Sequence, residues 1–86
     1  MEGLIWRRHD LDPQTVHLRR ENDDLHEQNQ RFSGRTSMRP DALDSGDFSL
    51  NLMKIHLSDT GSYTCSIDDG REEFMLSEVK LWINGT

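Results

Sequence analysis

Apolar residues that recur at every second position constrain this chain more than any other feature. Phe48, Leu50 and Leu52 alternate with Ser49, Asn51 and Met53; Tyr63, Cys65 and Ile67 alternate with Thr64, Ser66 and Asp68; Val79, Leu81 and Ile83 alternate with Lys80, Trp82 and Asn84. Successive side chains of a strand point to opposite faces, so each segment predicts a strand with one apolar and one polar face. Turn-forming residues precede each: Asp44-Ser45-Gly46-Asp47, Ser58-Asp59-Thr60-Gly61 and Asp68-Asp69-Gly70-Arg71. Short strands separated by such turns predict an all-β sandwich. Upstream, Leu4 to Arg8 and Thr15 to Arg19 read as two further strands joined by a turn around Asp10-Leu11-Asp12-Pro13, where Pro13 restricts Asp12 to extended geometry. From Glu21 to Gln30 only Leu25 is apolar, which predicts a solvated loop or a weak edge strand, since a helix needs an apolar stripe.

Length and charge narrow the function. With 86 residues the chain holds one small domain, and a net charge of -6 repels phosphate backbones, which excludes nucleic acid as a partner. The single cysteine, Cys65, forms no internal disulfide and excludes a cysteine-rich zinc site; His9, His17, His26 and His56 lie on different segments without ligand spacing. Neither a metal nor another cofactor is expected. No nucleophile is matched with a base, and the acid pairs Asp23-Asp24, Asp68-Asp69 and Glu72-Glu73 sit in polar, solvated stretches, so neither an enzyme nor a small-molecule substrate is indicated. No apolar run has the length of a signal-peptide core or of a membrane span.

The segment Leu57 to Cys65 carries D-x-G-x-Y-x-C. This pattern resembles the region around the second core cysteine of an immunoglobulin V-type domain. The resemblance implies that Gly61 permits a tight entry into the strand, that Tyr63 turns its ring inward while its hydroxyl reaches back to the preceding loop, and that Cys65 faces the same way. Within that superfamily, Thr15-Val16-His17-Leu18, Arg31-Phe32-Ser33-Gly34-Arg35-Thr36 and Ser45-Gly46-Asp47-Phe48-Ser49-Leu50 most resemble the butyrophilin and T-cell co-stimulatory ligand group, which includes myelin-oligodendrocyte glycoprotein.

The resemblance covers residues 3–83, leaving 1–2 and 84–86 as termini, and it implies an incomplete V-type sandwich. Laid on such a domain the chain starts at strand C, with strands A and B and the first cysteine absent. Trp6 then takes the place of the core tryptophan on strand C. Arg35, at the start of strand D, pairs with Asp59 as a partly screened ion pair. Parity places Trp6, Tyr63, Cys65, Phe48, Leu50, Leu52, Ile67, Val79 and Leu81 in one cluster, and the strand carrying Phe48, Leu50 and Leu52 keeps an unpaired edge.

Functionally, the resemblance implies a recognition domain at the outer face of the plasma membrane, or extracellular, in a full-length parent. Such a domain binds a protein receptor on another cell, a lymphocyte, and modulates T-cell receptor signalling and cytokine production. Ile5, Arg7, His17, Arg19, Thr64, Ser66 and Asp68 are expected to face outward on the front sheet, with Asp69, Gly70 and Arg71 at a loop tip. Homophilic adhesion or a structural role is the alternative, favoured by an exposed Ile5 and Trp82. Asn84-Gly85-Thr86 is a glycosylation sequon at the domain end.

Overall fold

The computed structural model describes residues 3–84. Its strands are β1 (Gly3–Arg7), β2 (Thr15–Arg19), β3 (Thr36–Met38), β4 (Leu50–Leu52), β5 (Gly61–Asp68) and β6 (Glu73–Leu81). Four form a front sheet in the order β2-β1-β5-β6, and β3 with β4 forms a two-stranded back sheet. All pairings are antiparallel. The result is an all-β sandwich of two layers.

Alternation along β5 sets the core. Cys65 lies opposite Trp6 of β1, and Tyr63 lies opposite Val79 of β6, so all four share the inner face. The buried cluster comprises Leu4, Trp6, Val16, Phe32, Met38, Ala42, Tyr63 and Cys65. Phe32 meets the Tyr63 ring edge-on, with centroids 6.2 Å apart. Trp6 ties the two sheets together by donating its indole N–H to the carbonyl of Phe48 at 3.0 Å.

Two buried ionic groups close the base of the sandwich. The Arg35 guanidinium donates to both carboxylate oxygens of Asp59, each at 2.8 Å. Its remaining N–H groups reach the carbonyls of Arg31, Met53 and Lys54, and its plane lies over the Phe32 ring. Asp59 also accepts the His56 backbone N–H, and its own carbonyl accepts the Tyr63 hydroxyl. The pair is buried, not partly screened as the sequence led us to expect, because Phe32 and the 3-10 turn Leu57–Asp59 enclose it.

Several boundaries differ from the sequence expectation. The first strand runs one residue earlier, and the strand around Phe48 shrinks to Leu50–Leu52, because Phe48 and Ser49 make local and indole contacts instead of ladder bonds. A four-residue helix, α1 (Ala42–Ser45), occupies what reads as the start of a turn; Gly46, at φ 78°, ends it and returns an N–H to Ala42. β6 begins at Glu73, six residues before Val79, and a bulge beside Cys65 explains why its first half shows no alternation.

Phe48, Leu50, Leu52, Ile67 and Leu81 pack on the core as half-buried residues, whereas Val79 is 45% exposed although it points inward. Among the described residues β4 pairs with β3 alone, and between β4 and β6 the sandwich stays open. An apolar cleft of about 270 Å³ there is lined by Trp6, Leu50, Leu52, Ile55, Tyr63, Val79 and Leu81. A second of about 360 Å³ adjoins it, with Cys65 and Ser77 in its wall.

Candidate recognition face

The outer face of the front sheet is built from residues whose parity is opposite to Trp6 and Cys65. Ile5 lies opposite Ser66, Arg7 opposite Thr64, and Asp68 opposite Glu73. Arg7 donates to both oxygens of Glu73, at 2.9 and 2.8 Å, joining β1 to β6 across β5. The Glu73 hydrogen bonds raise the Arg7 pKa, and the same contact holds the Glu73 carboxyl below its ordinary value. His9 hydrogen-bonds the Thr64 hydroxyl.

Exposure sorts the residues expected on this face. Thr64 and Ser66 lie on it but are buried, because β1 and β6 flank them. Ile5 is also buried, not exposed: it shares a recess with Leu18, Asp24, His26 and Glu27, so the polar segment after β2 covers it. Arg7 and Asp68 are half-buried, and Asp69, Gly70 and Arg71 are exposed.

His17 and Arg19 turn the other way, in contrast to the parity expected. The β1–β2 register shifts between Trp6 and Arg7, so His17 lies opposite Trp6 and Arg19 opposite Leu4, both on the inner face. His17 is fully buried, hydrogen-bonded to the Thr36 hydroxyl of the back sheet and to Asp23. Arg19 donates to Asp23 and to the carbonyl of Pro40. Burial raises the Asp23 carboxyl, but hydrogen bonds from His17 and Arg19 outweigh it and leave its pKa lowered.

The β5–β6 turn is organised by its own side chains. Asp68 accepts the Gly70 N–H, and Asp69 accepts the N–H groups of Arg71 and Glu72 at 2.9 Å each. Gly70 has φ 92°, a conformation that favours glycine. Asp69 is held below its ordinary pKa by these backbone donors. The turn therefore presents Arg71 on a pre-ordered loop.

Structural residues missed in the sequence include Arg8, which is buried. Its guanidinium donates to the Ser58 carbonyl at 2.9 Å and to Asp10, and lies 5.4 Å from the Tyr63 ring centroid. Gly61 owes its place to this arginine: a Cβ there would meet the guanidinium at 2.9 Å, and the residue has no positive φ. The expectation of a special backbone entry is thereby replaced by one of close approach. Met75, 67% exposed and opposite Ser66, adds an apolar element to the outer face. The bulge beside it hid it from a period-two reading.

Among the described residues no three His, Cys, Asp or Glu side chains converge. Asn84 is exposed, while Gly85 and Thr86 of its sequon lie outside the described residues.

The comparisons with known proteins agree with this architecture. The chain is 34% identical over 69 residues to the V-set domain-containing T-cell activation inhibitor 1 of Rattus norvegicus, a match covering 78% of the chain and 24% of that protein. The Mus musculus protein matches with the same figures, so the chain spans about a quarter of the length of these curated relatives. The crystal structure of the human B7-H4 IgV-like domain superposes with a TM-score of 0.78 at 28% identity, covering 92% of this chain and 68% of that one. Residues 2–83 match the immunoglobulin V-set domain. Since that match takes in both sheets, the Tyr63 contact and the Arg35–Asp59 pair, the chain belongs to the immunoglobulin V-set family.

Proposed function

We propose that this chain is the recognition domain of a cell-surface protein of the T-cell co-stimulatory ligand type. It binds a protein receptor on a lymphocyte through the outer face of the front sheet, without chemistry, and regulates T-cell activation and cytokine production. The likeness to proteins named as T-cell activation inhibitors supports this reading, and the ordered β5–β6 turn supplies the surface. The contact residues are Arg7, Asp68, Asp69, Gly70 and Arg71, with Met75 beside them; His17 and Arg19 act as supports, and Thr64 and Ser66 as the buried floor. Rigid presentation matters because a loop already ordered loses less entropy on binding.

The test is staining of activated and resting T cells with a labelled tetramer of the chain. Arg71→Glu and Met75→Glu each reduce staining about tenfold or more, as removal of a central contact does, while Arg39→Glu on the far side leaves it intact. Equal staining by all three variants overturns the assignment of the face. Of the two residues whose exposure favours homophilic packing, Trp82 is exposed and Ile5 is covered.

A further inference from the structure

We propose that the recess over Ile5, on the outer face of the front sheet, takes one cationic side chain, a lysine or an arginine, presented by the partner protein. This rests on the reading of that face as the recognition surface and adds the chemistry of the group recognised.

The recess has a volume of about 140 Å³, room for one long side chain, and lies on the opposite face of the sheet from the cleft between β4 and β6. β1, β2 and the polar segment after β2 supply its walls. Register places Ile5 opposite Leu18 and Arg7 opposite Thr15, so Ile5, Leu18 and Thr15 share the outer face, where the first two form an apolar floor. Thr15 points to an occupant. It is only 4% exposed, yet its hydroxyl bonds no protein group among the described residues and opens into the recess. A hydroxyl so enclosed must find its partner in whatever enters the recess.

Charge selects that occupant. Asp24 and Glu27 line the recess; Glu27 makes no hydrogen bond or ion pair among the described residues, and the Asp24 side chain accepts only the His26 backbone N–H. Arg20 lines it too but pairs with neither carboxylate, and Arg7, which feels the Glu27 charge, donates to Glu73 instead. Two carboxylates against one permanent cation leave the recess acidic, since His26 adds charge only when protonated. A lysine or arginine lays its methylene stem along apolar surface while its head keeps polar partners. Here the stem covers Ile5 and Leu18, and the head donates to Glu27 and Asp24, with the Thr15 hydroxyl as a further acceptor.

Methyl NMR of the 86-residue chain tests the recess directly, with Nα-acetyl-lysine N-methylamide as the probe. A saturable shift of the Ile5 and Leu18 methyls is expected below about 50 mM, shared by the arginine analogue and absent with the norleucine analogue, which has the stem alone. The shift is lost in the double variant Asp24→Asn with Glu27→Gln, which folds normally because both side chains are exposed. Equal shifts from norleucine mean an apolar slot, shifts from the glutamate analogue alone an anion site governed by Arg20, and no saturable shift a recess that takes no cation. Each overturns the proposal. Tetramer staining of T cells tests the use of the recess: the double variant loses about tenfold, while Arg20→Ala gains. A double variant that stains as wild type overturns the assignment of the recess to the partner. Its loss of staining where Arg71→Glu and Met75→Glu stain normally upholds the recess and overturns the contacts assigned around the β5–β6 turn. Absence of wild-type staining beside saturable probe binding upholds the recess and overturns the lymphocyte as the source of the cation.

Discussion

Asp59 is fully buried and accepts hydrogen bonds from Arg35 and from the His56 backbone, which hold its carboxyl below the ordinary value of 3.8. A carboxylate depressed in the folded state contributes stability that is complete above its unfolded pKa and is lost as pH falls through the folded value. The urea midpoint should therefore hold between pH 7 and 5 and fall steadily below about pH 4, with Asp10, Asp23 and Glu73 shifted in the same direction. Removing the cation is more severe. Arg35→Met leaves a buried, unpaired carboxylate at a cost of about 3–5 kcal/mol, comparable to the whole stability of a small domain. Circular dichroism should then show no cooperative melt. Cys65 is governed by the opposite effect: burial pushes its thiol up to about 11 from 9.0. Iodoacetamide at pH 8 should alkylate it about a hundredfold more slowly in the native chain than in urea, because the thiolate fraction falls by that factor.

Among the elements, β5 was the most legible from sequence, since regular alternation and a preceding turn left its register little freedom. β2 and β6 were less so, for the same physical reason. Each carries one extra residue, Val16 opposite the Trp6/Arg7 step of β1 and Leu76 opposite the Cys65/Ser66 step of β5, and one extra residue reverses the facing of everything beyond it. That reversal buries His17 and conceals the Glu73–Leu76 half of β6. The entry to β5 is controlled by a side chain arriving from β1. Gly61→Ala drives its Cβ into the Arg8 guanidinium and displaces it from the Ser58 carbonyl, costing on the order of 1 kcal/mol. If the clash is the cause, Gly61→Ala should cost almost nothing in an Arg8→Ala background. A double-mutant cycle by urea denaturation measures that coupling.

At the scale of the whole molecule, the sandwich is closed at its base and open along the side between β4 and β6. Phe32, Val16 and the Arg35–Asp59 pair seal the base, whereas Leu50, Leu52, Ile55 and Val79 line a cleft. Phe32→Ala should cost about 3–5 kcal/mol, and Ile55→Ser less than about 1 kcal/mol, because Ile55 is already half exposed. Unfolding curves of the two variants at one protein concentration decide whether the core is as lopsided as the clefts imply. Sequence by itself determined the all-β class and the inward parity of Tyr63 and Cys65, both of which follow from period-two alternation, while the pairing of Arg35 with Asp59 was implied by the resemblance to V-type domains. Only the tertiary structure decided which of the outward positions reach solvent, which way His17 and Arg19 turn, and that Arg8 rather than backbone strain explains Gly61. Exposure and register depend on neighbouring strands and bulges, and those are contacts between residues far apart in the chain that no local period encodes.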